Sequence, residues 1–177
     1  MHDSMKALAI VGALAALSAC KRNGDRVDGS VDGPAAVRCD GTADGLCPCS
    51  TAVQGDRRYL FCPDVVTWEE ARDNCRRFGF ELVAIDSEAE QDFVWARAAE
   101  TDGDYWIGLT DSETEGTYVW SDGSALGSFA PWANEQPDSG DGEVEEDCVE
   151  LIQSEEGRWN DRDCATDYLD YVCEGPA

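Results

Sequence analysis

The chain has 177 residues, enough for one ordinary domain with additional segments but short for two hydrophobic cores. It carries 38 acidic and 13 basic residues, for a formal net charge of −25, which argues against nucleic acid as a partner because phosphate binding needs a basic surface. The single histidine, His2, lies ahead of a predicted cleavage point. A histidine-dependent catalytic triad or a histidine-ligated zinc site is therefore not expected in the exported protein.

Residues 1–19 are predicted to be a signal peptide. Lys6 precedes a small and apolar run, Ala7 to Leu17, which is shorter than the roughly 20 apolar residues needed to cross a bilayer. The sequence LSAC at 17–20 resembles the lipobox of bacterial lipoproteins. The resemblance implies lipidation of Cys20 and a membrane anchor on the bacterial cell envelope, at the outer membrane or the cell surface. Ordinary secretory cleavage after Ala19, which would release a secreted protein, is the alternative.

A tether and a cysteine-rich extension are predicted to follow. Residues 20–38 are rich in Gly, Asp and Arg, include one proline and have little apolar content, which is typical of a flexible linker. Residues 39–58 hold too little apolar material for a core, so disulfides must fix their structure. The chain has nine cysteines, and setting Cys20 aside leaves an even set that suits an oxidising compartment. This set is Cys39, Cys47, Cys49, Cys62, Cys75, Cys148, Cys164 and Cys173.

The main domain is placed at residues 59–177, and two helices are predicted in its first half. Thr67 and Glu70 form a capping-box pattern at the start of the first helix, which is expected to end at Gly79. Ser87 and Glu90 repeat the pattern for a second helix. The apolar positions of the first helix are Trp68, Ala71, Cys75 and Phe78, a strand is predicted at Leu82 to Ile85, and the second helix runs to about Ala99.

Short strands are predicted beyond Asp104, separated by loops rich in Gly, Asp, Pro and Ser. They are Tyr105 to Leu109, Thr117 to Trp120, Cys148 to Ile152 and Tyr168 to Cys173. The stretch from Ser121 to Asp147 is a long connection with little regular structure, and connections of this length are usually functional or disordered. Because cysteines and tryptophans lie on both sides of it, function is the better interpretation.

Several motifs in one order resemble the C-type lectin-like domain, from about Cys49 to Glu174. They are WIGL at 106–109, QPD at 136–138, WND at 159–161, and the cysteines Cys75, Cys148, Cys164 and Cys173. The resemblance implies an α+β fold with two helices, two small antiparallel sheets and a long calcium-binding loop, held by disulfides. We expect the aromatic residues Trp68, Phe78, Trp106, Trp120, Phe129 and Trp132 to lie in the core.

The family pattern also implies disulfide pairings. It pairs Cys75 with Cys173 and Cys148 with Cys164. In the long form of the domain, Cys62 pairs with Cys49 or Cys47. We prefer Cys49–Cys62, which leaves Cys39–Cys47, although sequence alone leaves the pairing open.

The resemblance implies two calcium sites in the acidic loop. Ca²⁺ takes about six to eight oxygen ligands in flexible geometry. Carried over by position, the principal site, which also binds the sugar, is formed by Gln136, Asp138, Glu146, Asn160 and Asp161. A cis peptide is expected at Gln136–Pro137. The auxiliary site is formed by Asp111, Glu115 and Asp147, with Ser139 where a carboxylate is common and Asp141 as a substitute. A solvated acidic face is the alternative interpretation for both sets.

The function implied is that of a calcium-dependent lectin rather than an enzyme. Gln136 before Asp138 is the galactose-type order, which favours galactose or N-acetylgalactosamine, although the sequence SGDG at 139–142 replaces the usual tryptophan. The expected partners are a glycan or polysaccharide and the membrane, with oligomers for avidity. The alternative is a protein-binding or adhesion module in which calcium only orders the loop. A glycosidase with a carboxylate pair is not favoured, because the acid clusters are assigned to the metal.

Overall fold

The computed structural model describes residues 49–139 and 145–177. The predicted signal peptide, the tether, the lipidation of Cys20, the Cys39–Cys47 pair and Asp141 lie outside these residues. Neither helix in the described ranges is long and apolar enough to cross a membrane. The sheet begins at Ser50, ahead of the boundary predicted at residue 59.

The described chain forms eight strands and two α-helices. The strands are β1 (Ser50–Gln54), β2 (Arg57–Val66), β3 (Glu81–Leu82), β4 (Tyr105–Thr110), β5 (Val119–Trp120), β6 (Cys148–Ile152), β7 (Arg158–Arg162) and β8 (Leu169–Pro176). The helices are α1 (Trp68–Arg77) and α2 (Glu88–Ala98), and a short 3-10 helix spans Gln153–Glu155. The predicted α+β class with two helices is confirmed.

All eight strands belong to one mixed sheet. Its order is β1-β2-β8-β4-β6-β7, with β3 added to β8 and β5 to β4. The expectation of two separate antiparallel sheets was wrong, because β4 and β8 run parallel and join the strands into one sheet. Tyr105 pairs with Asp170, and Trp106 pairs with Tyr171. Every residue of β4 is buried, as expected for a central strand in a parallel pairing.

The capping signals place both helices, with one difference from the prediction. Thr67 Oγ1 accepts a hydrogen bond from Glu70 N at 3.3 Å, and Thr67 N donates to the Glu70 carboxylate at 3.1 Å, so the capping box of α1 is complete. Ser87 caps α2 through Glu90 N at 3.3 Å. The Glu90 carboxylate instead accepts from Asp86 N and from the Tyr59 hydroxyl. The Glu90 side chain therefore binds the residue before the N-cap and a distant tyrosine instead of the backbone N–H of Ser87.

The apolar positions of α1 face the sheet, except for Phe78. Trp68, Ala71 and Cys75 are buried, whereas Phe78 is 42% exposed, and its assignment to the core was wrong. The helix ends at Arg77 and Phe78 is the C-cap residue, so helical spacing no longer sets the direction of its side chain. Trp106 Nε1 donates to Val66 O at 2.9 Å, which fixes this tryptophan against the chain that enters α1.

Three disulfides tie the described elements together. Cys75–Cys173 and Cys148–Cys164 are the pairings that the resemblance implied, and Cys49–Cys62 is the preferred one of the two alternatives for Cys62. The first links α1 to β8 across a sequence separation of 98, and a loop of this length corresponds to roughly 4 to 5 kcal/mol of loop-closure entropy in the unfolded chain. The second joins the start of β6 to the segment after β7 across a separation of 16. It therefore closes the two strands that support the acidic loop.

Candidate metal and ligand site

Strands β6 and β7 form the base of the candidate site. They pair antiparallel, with Val149 opposite Asp161 and Glu150 opposite Asn160. The long connection crosses this base and is held by backbone hydrogen bonds on both sides of Trp159. Its carbonyl accepts from Ala133 N at 2.8 Å, and its N–H donates to Pro131 O at 3.1 Å. The backbone of this strand residue therefore anchors the loop that carries the other site residues.

Three predicted principal ligands come together at this base. One carboxylate oxygen from each of Asp138, Glu146 and Asp161 lies within 4.8 Å of the others. Asp161 is fully buried, at 0% exposure. Burial raises the pKa of Glu146 above its ordinary value, and the charges of Asp161 and Asp138 raise it further. Crowded carboxylates of this kind repel one another unless a proton or a cation lies among them.

Asp161 also organises the loop. Its carboxylate accepts hydrogen bonds from Asp138 N at 3.2 Å and from Ser139 N at 3.2 Å. The Tyr118 hydroxyl donates to the same carboxylate at 3.1 Å. Burial raises the pKa of Tyr118, and the charge of Asp161 adds to the effect, so this tyrosine stays a neutral donor at physiological pH. One side chain thus joins the loop to the sheet.

Gln136 offers a further oxygen to a cation. The Gln136–Pro137 peptide is cis, as the resemblance implied. The Oε1 atom of Gln136 is buried and has no hydrogen-bond partner among the described residues. A buried amide oxygen without a donor costs stability unless something else satisfies it, and a cation does so. The remaining predicted ligand, Asn160, donates from Nδ2 to Glu150 Oε1 at 2.8 Å.

The predicted auxiliary ligands form a second cluster. Carboxylate oxygens of Asp111, Glu115 and Asp147 lie within 4.8 Å of one another. Asp111 is 2% exposed; its Oδ2 accepts from Gly116 N at 2.8 Å, and its Oδ1 has no hydrogen-bond partner in the described ranges. Burial raises the pKa of both Asp111 and Asp147. The Ser139 hydroxyl, which stands where a carboxylate is common, donates to Glu115 Oε1.

Both clusters fit a hard divalent cation. Their donors are carboxylate and amide oxygens, without nitrogen or sulfur ligands, and this is the set that Ca²⁺ prefers. The residues that sequence reasoning missed are Tyr118 and Glu150. Glu150 carried one signal, since it is the single charged residue within the strand Cys148–Ile152. Tyr118 carried no signal that distinguished it from a core aromatic residue.

A separate cleft of about 380 Å³ lies away from both clusters. Its lining includes Arg57, Arg76, Phe80, Glu81 and Glu174 and none of the predicted ligands. The acidic loop, rather than this cleft, is therefore the part of the described surface that matches the predicted chemistry.

The chain matches one family model and is similar to several known proteins. The family model for the lectin C-type domain matches residues 64–175. The low affinity immunoglobulin epsilon Fc receptor of Mus musculus is 39% identical over 135 residues, which are 76% of this chain and 38% of that protein. Asialoglycoprotein receptor 2 of Mus musculus is 36% identical over 132 residues, which are 72% of this chain and 42% of that protein. The chain thus spans less than half the length of these two relatives.

A solved structure supports the same assignment. The crystal structure of the C-type lectin CEL-I from Cucumaria echinata is 33% identical, with a TM-score of 0.65, and the match covers 72% of this chain and 96% of that one. The family-model match at residues 64–175 contains both acid clusters and the pairs Cys75–Cys173 and Cys148–Cys164, and Cys49–Cys62 lies before it. Because the family model spans more than half of the sequence, this chain belongs to the family of proteins with a C-type lectin domain.

Proposed function

We propose that the protein is a calcium-dependent carbohydrate-binding protein, a lectin without catalytic activity. The observation that carries the proposal is the convergence of Asp138, Glu146 and Asp161 within 4.8 Å. The buried Oε1 of Gln136, two residues before Asp138, supports it as a further oxygen for the cation. Asn160 completes the proposed ligand set, next to Asp161 on β7.

The chemistry of sugar binding follows from this donor set. Two neighbouring sugar hydroxyls would complete the coordination of the cation, because calcium accepts more oxygens than these side chains supply. The same side chains would hydrogen-bond the hydroxyls, with carboxylates only accepting and amides both donating and accepting. Ionised carboxylates are needed for both roles, so binding of the sugar depends on the metal.

We propose galactose or N-acetylgalactosamine as the sugar. The order of amide and carboxylate, Gln136 before Asp138, supports this preference, since it sets where the site donates and where it accepts. The sequence SGDG at 139–142, directly after the QPD triplet, provides no aromatic ring to stack on the sugar. Trp132 does not replace it, because its ring packs on Trp159 at 5.8 Å and on Tyr118 at 5.0 Å. We therefore expect weak single-site binding.

Export and a lipid anchor on Cys20 are part of the same proposal. A single site with few contacts gives low affinity, and clustering on a membrane or in an oligomer raises the effective concentration of sites. The lipobox at 17–20 supports the anchor. Metabolic labelling with a lipid precursor tests it, because the wild-type protein is expected to take up the label and Cys20→Ala to lose it. Equal labelling of both would contradict the anchor.

Glycan binding with and without chelator tests the central proposal. The wild-type domain is expected to bind galactose-bearing glycans in calcium and to lose them in excess EDTA. Asp138→Ala removes one cluster carboxylate and should abolish binding, whereas Asp92→Ala, at an exposed position on α2, should not. Binding that persists unchanged in EDTA would overturn the calcium mechanism.

The alternative is a protein-binding or adhesion module in which calcium is only structural. The hydrogen bonds from Asp138 N and Ser139 N to Asp161 favour it, because they give the cluster a role in ordering the loop. One relative, the low affinity immunoglobulin epsilon Fc receptor of Mus musculus, supports this alternative because its name describes a receptor for a protein. Under this alternative, calcium raises the melting temperature, but no sugar on a broad array binds in a way that Asp138→Ala abolishes.

A further inference from the structure

A single acidic side chain is buried in the strand beneath the candidate calcium site. Glu150 lies on β6 between Val149 and Leu151, which are both fully buried, and it is itself only 2% exposed. A buried carboxylate opposes folding unless donors satisfy it, and an apolar residue at this position would fit the rest of the strand. Packing alone therefore does not explain why an acidic residue occupies this buried position.

The partners of Glu150 lie on the neighbouring strand β7. Glu150 and Asn160 are direct cross-strand partners, so their side chains share one face of the sheet. Glu150 Oε1 accepts from Asn160 Nδ2 at 2.8 Å, and Arg162 Nη1 lies 3.8 Å from the same oxygen. Arg162 is itself held by the Asp167 carboxylate, at 2.9 and 3.2 Å. The shorter of these two contacts of the buried carboxylate is thus with a proposed calcium ligand.

The two ends of the Asn160 amide differ chemically although they are nearly equal in shape. The oxygen ligates a cation, whereas the nitrogen is a donor and cannot. When it is ionised, the Glu150 carboxylate can only accept hydrogen bonds, so it binds the nitrogen end of the amide and disfavours the flipped amide. Asn160 is half-buried above Glu150. The hydrogen bond therefore selects one of two rotamers that packing alone would not distinguish.

We propose that Glu150 is a positioning residue for the calcium site, which holds the Asn160 amide with its nitrogen inward so that its oxygen is the end presented to the cation. This inference rests on the proposed function, because it assigns a role toward the same metal. Residues that orient a metal ligand from behind are commonly worth about 10- to 100-fold in metal affinity. Glu150 would thus set calcium affinity without contacting either the metal or the sugar.

Calorimetric calcium titration of two matched pairs of variants tests the proposal. Glu150→Leu removes the acceptor, and calcium should bind about 10- to 100-fold more weakly. Glu150→Gln keeps an acceptor oxygen but also brings an amide donor that could hold the flipped Asn160, so it should recover only part of the affinity. The controls are Glu174→Leu and Glu174→Gln, at a second buried carboxylate that accepts from Ala84 N and contacts Arg57 rather than a proposed ligand. Both controls should bind calcium like the wild type.

The outcomes separate this inference from the proposed function. If the wild type itself does not bind calcium, the proposed function fails. If the wild type binds and Glu150→Leu binds within a factor of about two of it, the inference is wrong. It is also wrong if Glu174→Leu weakens binding as much as Glu150→Leu, because both effects would then reflect general loss of stability. Melting temperatures in EDTA provide the check, since the proposal expects Glu150→Leu to be no less stable than Glu174→Leu.

A measurement on the wild-type protein keeps the inference testable if Glu150→Leu does not fold. In the metal-free protein, nuclear magnetic resonance should show an Asn160 side-chain amide proton that exchanges slowly with water, assigned by its absence in Asn160→Asp. The exposed Asn134 serves as the internal reference. An Asn160 amide that exchanges as fast as that of Asn134 would overturn the hydrogen bond, and with it the positioning role.

Discussion

Replacing Glu174 by glutamine should make the free energy of unfolding of the metal-free domain less dependent on pH. Glu174 lies on β8 and is 6% exposed. Its Oε1 accepts from Ala84 N at 3.2 Å, and Arg57 Nη1 makes an ion-pair contact with Oε2 at 3.1 Å without hydrogen-bond geometry. Burial is the largest influence and raises the pKa of this carboxyl from 4.5 to about 7, against the opposing effect of Arg57.

The sign of the effect follows from which state holds the proton. Between about pH 4.5 and 7, folded Glu174 keeps a proton that the unfolded chain has lost. The stability that this residue contributes is therefore complete below the unfolded pKa and is lost as the pH rises through the folded pKa. The rise in the pKa of Glu174 from 4.5 to about 7 corresponds to on the order of 3 kcal/mol of unfolding free energy across this pH range.

Urea unfolding in EDTA at about pH 5 and about pH 8.5 measures the effect. The wild type should lose stability between these values, and Glu174→Gln, which cannot ionise, should lose on the order of 3 kcal/mol less. Glu88→Gln, at an exposed position in the first turn of α2, is the control and should follow the wild type. Parallel curves for the wild type and Glu174→Gln would refute the reasoning, since the buried carboxyl would then titrate alike in both states.

Two further predictions follow from the site and from one tight turn. Burial raises the pKa of Glu146, and a protonated carboxyl cannot ligate a cation. Calcium affinity should therefore already fall at a pH above the ordinary titration range of glutamate. Calorimetry that finds equal affinities at about pH 8 and about pH 5.5 would contradict this. Gly157→Ala should destabilise the domain by about 2 to 4 kcal/mol, since φ is +78° and a Cβ would lie 2.5 Å from Trp95 Cδ2. Gly123→Ala, with φ of +90° and open space, should lose only about 1 to 2 kcal/mol, and equal losses in urea unfolding would exclude the steric contribution.

Local signals in the sequence predicted the elements best where the determining contacts are themselves local. The Thr67 and Glu70 pattern located the start of α1, because both hydrogen bonds of a capping box lie within one turn. The strand Cys148–Ile152 was predicted with its observed bounds. The resemblance supplied the non-local part, including the disulfide pairs and the two groups of acids that the fold brings together.

The sequence-based predictions differ from the structure where contacts between residues far apart in the sequence determine the conformation. Glu90 had the local pattern of a capping residue, but its carboxylate accepts from Asp86 N and from Tyr59, and no local rule could identify the distant tyrosine as a partner. The strand predicted at Leu82 to Ile85 shortens to Glu81–Leu82. Its remainder is buried, with Val83 N bonded to Val172 O and Val83 O to Gly108 N, so these backbone groups are satisfied outside a regular ladder. The joining of the sheet through β4 and β8 likewise depends on pairing across the whole chain.

The order of the loop and the chemistry of the candidate site depend on the same atoms. The Asp161 carboxylate binds the backbone of Asp138 and Ser139, and it also contributes an oxygen to the principal cluster. Ser139 in turn donates its hydroxyl to Glu115 in the auxiliary cluster, so one loop residue contacts both groups of acids. Under the proposed function, a change at Asp161 would therefore alter loop conformation and cation binding together, whereas Asp138 contacts Asp161 through its backbone N–H, which a side-chain substitution retains. Asp138 is accordingly the position at which substitution can separate sugar recognition from the ordering of the loop.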